Sequence, residues 1–140
     1  MLLTSISLKS VHLKPAVSAT GAVVLLLAAA LPLASLANGA DPSGVWLRDD
    51  GNARVRIAPC GSDICATNLW IKDTSGGEEV GDKLVMTLKP EADGTLSGTA
   101  FDAKRDRRYG MTLTVKPDGL STRGCIARVL CKTVNWTPAP

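Results

Sequence analysis

Between Gly44 and Trp136 the apolar side chains recur at every second position in short runs. Val55 and Ile57 alternate with Arg54 and Arg56. Leu84, Met86 and Leu88 oppose Val85 and Thr87, and Tyr109, Met111, Leu113 and Val115 oppose Thr112, Thr114 and Lys116. A period of two is the signature of a strand with one buried face. The runs are separated by turn chemistry at Asp49–Asn52, Gly61–Asp63, Pro90–Gly94, Ala103–Asp106 and Pro117–Gly119. Pro59 cannot donate to a ladder and closes the run that starts at Arg54. The polar, glycine-rich stretch Asp73–Asp82 is a loop, long for a hairpin.

The pattern predicts about eight short strands, at Gly44–Leu47, Arg54–Pro59, Ile64–Lys72, Lys83–Lys89, Thr95–Asp102, Arg108–Lys116, Leu120–Cys125 and Thr133–Trp136. Spacing of roughly ten residues with tight turns predicts an all-β fold, a small antiparallel up-and-down β-barrel, with a β-sandwich as the alternative. A closed barrel removes its own edges, and its interior holds either one small ligand or only side chains.

The first 37 residues read differently. Lys9 and Lys14 precede an almost unbroken apolar run from Ala16 to Leu36, and Ser35-Leu36-Ala37 offers small residues for cleavage. This is the grammar of a secretory signal peptide, residues 1–37, with cleavage near Ala37; an uncleaved anchor is the competing reading of so long a run. The single domain then spans residues 38–140, and the protein is expected to be periplasmic or secreted. Without Lys9 and Lys14 the formal charge falls from +3 to +1, which removes any argument for nucleic-acid binding. Membrane contact is expected only through the leader before its cleavage.

A domain of about 100 residues with one Phe and one Tyr has a thin core. Export makes disulfides the expected state of Cys60, Cys65, Cys125 and Cys131, which bracket two short turns. Pairing Cys60 with Cys65 and Cys125 with Cys131 is preferred, but four cysteines admit three connectivities and the crossed ones stay open. Zinc is disfavoured by the cysteine spacing and by the lack of any histidine beyond His12.

That lack also removes Ser-His-Asp, Cys-His and histidine-ligated metal chemistry from residues 38–140. No catalytic constellation, metal site or cofactor site is expected. Glu78-Glu79 and Asp49-Asp50 are the only carboxylate pairs of note, and both read as solvated loop charge. Trp46, Trp70, Tyr109, Met111 and Trp136 are either core anchors or the lining of an apolar pocket. Lys104, Arg105, Arg107 and Arg108 cluster at one hairpin as a surface basic patch, open to acidic partners or headgroups.

The ordered segments G-V-W, D-G-N-A-R-V-R-I-x-P-C-G, I-C, N-L-W-I-K, L-K-P, Y-G-M-T-L, L-S-T-R-G-C and L-C-K-T-x-N-W-T resemble the secreted bacterial family known as domain of unknown function 2147, over nearly all of residues 41–137. The resemblance implies a compact lipocalin-like barrel. Ala66 stands where a glycine is usual in that family, and the Asp73–Asp82 loop is short for it. Gly44-x-Trp46 also resembles the first-strand motif of lipocalins, in which the Trp plugs the barrel floor. The functional expectation is a non-enzymatic periplasmic binding module for a small apolar or amphipathic ligand, including lipid. The alternative is a protein-interaction or envelope-stress module acting through the outer surface. Oligomeric state is not legible in the residues.

Overall fold

Each predicted run becomes a strand, and each strand pairs with the next through a turn at alternating ends. The computed structural model describes residues 40–140. The expected leader, its cleavage site near Ala37 and the competing anchor lie outside the described residues. The strands are β1 (Gly44–Arg48), β2 (Ala53–Cys60), β3 (Asp63–Ile71), β4 (Lys83–Pro90), β5 (Leu96–Asp102), β6 (Arg107–Lys116), β7 (Gly119–Ile126) and β8 (Leu130–Pro138). All neighbours are antiparallel and follow chain order. β8 returns to β1, pairing Trp46 with Pro138 and Arg48 with Trp136, so the sheet closes into a barrel and the sandwich alternative falls away. β8 begins at Leu130, earlier than the residue pattern shows, because Cys131, Lys132 and Thr133 pair with Cys125, Gly124 and Arg123.

An up-and-down barrel sorts its turns to two ends. The turns after β1, β3, β5 and β7 share one end, called the mouth; those after β2, β4 and β6 share the other with Pro42 and the C-terminus. Alternation then fills the inside. Met86, Leu113 and Leu120 are the largest fully buried side chains, joined by Trp46, Val55, Ile57, Leu96, Ala100 and Met111.

The end opposite the mouth is plugged. The Trp46 indole N–H donates to the Pro42 carbonyl at 2.9 Å, which turns the entering chain over the barrel end. Gly44 lies against that indole, where a Cβ would come within 3.3 Å of its nitrogen. Close strand approach recurs at Gly98, where a Cβ would sit 2.1 Å from the Thr87 carbonyl oxygen. No other residue type fits there without moving backbone.

One irregularity changes which residues face inward. Val55 pairs with Asn68 but Arg54 pairs with Trp70, so Leu69 is an extra residue on β3. Such a bulge inverts the alternation beyond it. Ile71 turns inward opposite Ala53, and Trp70 turns outward.

Candidate functional site

The inward face supplies more room than its side chains fill. A cavity of about 710 Å³ occupies the mouth half of the barrel. Val55, Ile57, Ala66, Leu84, Met86, Met111 and Val134 line its depth with Tyr109 and Trp136. Its size falls within the range of small-molecule pockets, roughly 300–1,000 Å³. The Trp136 indole N–H donates to Thr122 Oγ1 at 2.9 Å, so the one polar atom of that ring is satisfied within the wall. Gly124, opposite Met111 and Lys132, leaves the β7 side of the cavity open.

The rim is charged, and most of its charges are already paired. Arg48 ends β1 and forms a fork on Glu78, with contacts of 2.6 and 2.8 Å, while its Nε reaches Asp50 Oδ1 at 2.9 Å. Arg105 donates to Asp102 Oδ2 at 2.8 Å and to the Gly77 carbonyl at 2.5 Å. Lys104 contacts Glu79 Oε2 at 2.6 Å and Asp82 Oδ1 at 3.1 Å. Asn68 adds a side-chain bond to the Glu79 carbonyl, and Asn52 holds both the N–H and the carbonyl of Asp73. The loop between β3 and β4 is therefore tied to the β1 end, the β1–β2 turn and the β5–β6 hairpin. Among the described residues, the rim cations Lys83 and Lys132 form no ion pair.

These pairs set the titration of the rim. The Arg48 fork is the largest influence on Glu78 and, against partial burial, holds its carboxyl below the ordinary range. Asp50 is lowered chiefly by the same guanidinium. Burial works against the Asp82 carboxylate, but the Glu79 N–H and Lys104 outweigh it and lower its pKa. A carboxyl held ionised in this way is the reverse of one poised to donate a proton at neutral pH. Groups with lowered folded-state pKa stabilise the folded arrangement above their unfolded pKa, near 4.5 for Glu78, and lose that effect as pH falls through the folded value. We therefore expect the loop to loosen in acid. Amide exchange at Gly77, Glu79 and Gly81, corrected for intrinsic rates, should be faster at pH 3 than at pH 7, while the Leu113 amide stays protected. Equal loop protection at both pH values would mean that these pairs do not hold it.

The sequence-predicted residues separate into different places. Tyr109, Met111 and Trp136 line the cavity, and Trp46 sits below it in the plug. Trp70 belongs to neither core nor pocket: the bulge turns it outward, 41% exposed, with the Arg54 guanidinium 5.8 Å from the ring centre. The surface basic patch is also corrected. Arg105 joins the rim, Lys104 is drawn onto Glu79 and Asp82, and Arg108 stacks 4.6 Å from the Phe101 ring centre. Of these four, only Arg107 is an exposed cation with neither an ion pair nor a ring beneath it among the described residues. Nor is Glu78 solvated loop charge, since it lines the cavity on Arg48.

Cys60 bonds Cys65 at the plugged end, and Cys125 bonds Cys131 at the mouth. No free cysteine is present among the described residues. Two disulfides are compatible with an extracytoplasmic protein.

Three rim residues escaped sequence reasoning although parity marks them. Arg48 lies two positions beyond Trp46, Asp102 two beyond Ala100, and Lys132 two before Val134. Continuing each strand's alternation places all three on the inner face. Glu78 and Asp82 carry no such signal, because a loop has no period.

Fold and cavity together define a class: a small, disulfide-bonded, closed antiparallel barrel with an apolar interior open toward a charged rim. Residues 44–138 match a family described as uncharacterized protein conserved in bacteria (DUF2147), and the chain belongs to that family. No curated protein and no solved structure matches the chain.

Proposed function

We propose that the barrel is a non-enzymatic binding module of the periplasm, taking one small apolar or amphipathic molecule. The observation that carries this reading is the cavity itself. About 710 Å³ is left beneath a polar rim in a domain whose plugged half buries Leu113 and Leu120 completely. A thin core does not leave such a void for stability, since unfilled space forfeits dispersion and burial. Apolar walls would take the ligand's body, and the Arg48–Glu78 and Arg105–Asp102 pairs with Lys83 and Lys132 would meet its polar end. The outer-surface reading loses support, because Lys104 and Arg105 are engaged by the barrel's own loop.

The test is native mass spectrometry of protein isolated from the envelope of its own cells. A reproducible adduct of a few hundred daltons, released by organic extraction, is the expected result. Bare protein that also fails to take up an added apolar fluorophore would remove the proposal.

A further inference from the structure

Isolated exposed apolar residues are ordinary on a protein surface, but their segregation to one end is not. Among the described residues the exposed large hydrophobics are Leu69, Trp70, Val80, Ile126, Val129 and Leu130. The topology puts all six at the mouth. Leu69 and Trp70 end β3, Val80 sits in the loop that follows, and the other three form the β7–β8 hairpin. Among the described residues the plugged end shows none.

The hairpin is the most exposed part of this set, with Val129 at 78% and Leu130 at 71%. Those side chains have no means of folding away. The Cys125–Cys131 bond, with Cα atoms 4.0 Å apart, clamps the base of the turn. At its tip Ala127 and Arg128 both adopt left-handed backbone, φ 50° and 63°, which is unfavourable for residues with a Cβ. Strain is thus retained in a turn that presents aliphatic side chains to water.

Charge indicates what covers them. From Gly119 to Pro140 the chain holds Arg123, Arg128 and Lys132 and not one acidic residue. Elsewhere at the mouth, Glu78 and Asp50 are taken by Arg48, Glu79 and Asp82 by Lys104, and Asp102 by Arg105, while Asp49, Asp73 and Asp106 form no ion pair among the described residues, so the cationic excess belongs to the β7–β8 hairpin itself. A rigid aliphatic tip flanked by free cations suits an anionic bilayer, where acyl chains receive the tip and headgroups meet the cations. Trp70, outward at the same end, is placed as an interfacial aromatic would be. Two separate projecting tips, Val80 and Val129–Leu130, fit a yielding surface better than the matched face of a protein partner.

We infer that the mouth docks on an anionic membrane surface through the Ile126–Lys132 hairpin. Docking requires no ligand in the barrel and stands apart from the binding proposal. It also presents the cavity to the bilayer, because Ile126, Val129 and Leu130 line the cavity as well as the tip.

The test is vesicle flotation of protein isolated from the envelope of cells expressing the full chain. Phosphatidylcholine vesicles are compared with vesicles in which about a third of the lipid is phosphatidylglycerol. The protein should float with the anionic vesicles. The double variant Val129→Asp/Leu130→Asp should bind them about tenfold more weakly or worse. The double variant Arg128→Glu/Lys132→Glu should lose the preference for anionic over neutral vesicles. Thermal melts and intact-mass detection of both disulfides establish that each variant folds. Three outcomes overturn the inference: no flotation of the unaltered protein, unchanged flotation of the Val129→Asp/Leu130→Asp variant, or loss in that variant of self-association alone.

Discussion

Replacing Leu113 with alanine is expected to lower the unfolding free energy by about 3 kcal/mol, within the roughly 2–5 kcal/mol seen for buried Leu→Ala changes. Leu113 is fully buried on β6, in register with Leu96 on one side and Thr122 on the other. Its surroundings are held by the closed barrel, so neighbouring strands have little freedom to collapse into the space. In a domain of about 100 residues each kcal/mol moves the melting midpoint by roughly 4–8 °C. A drop of more than about 10 °C should therefore appear in a calorimetric or circular-dichroism melt with the disulfides intact. A shift close to zero would mean that the plugged half is not the packed core that burial indicates, and the contrast between filled and unfilled halves would fail with it.

Gly124→Phe is expected to do the opposite to the two properties of interest, weakening binding and sparing the fold. Gly124 lines the cavity, and a Cβ built there meets only Met111 Cε at 3.9 Å, an ordinary contact. Its backbone is not in the left-handed region, so a side chain brings no strain. The ring would enter the void and occupy space that an apolar ligand needs. Displacing even two methylenes of ligand from the wall, at about 0.8 kcal/mol each, weakens binding about tenfold. The measurement is titration with N-phenyl-1-naphthylamine, with melts alongside. Affinity should fall about tenfold or more while the midpoint stays level or rises. Equal affinity in a folded variant would place the probe somewhere other than the barrel interior.

How much of the site could be read from the chain follows from which interactions are local. Tyr109, Met111 and Leu113 alternate with polar residues, and alternation alone assigns them to one face. Trp70 obeys the same rule in the sequence, yet it faces water. The rule counts residues along β3, and the extra residue at Leu69 is visible only as a register shift against β2. Lys104 looks like a free cation because its acidic partners, Glu79 and Asp82, lie more than twenty positions away in a loop with no period, whereas Arg105 has Asp102 only three positions before it. The exposed mouth hydrophobics show the same limit. Val80 and Val129 are distant in sequence, and only the alternation of turns between two ends gathers them.

Residue order by itself determined the strand number, the inward face of most strands, the turn positions and the chance for two short disulfide loops, since each depends on neighbours a few positions apart. Tertiary structure alone decided closure, the void in the mouth half, the pairing of rim charges and the outward turn of Trp70. Those depend on strand register and on how many side chains a ring of eight strands must surround, quantities that no single segment contains.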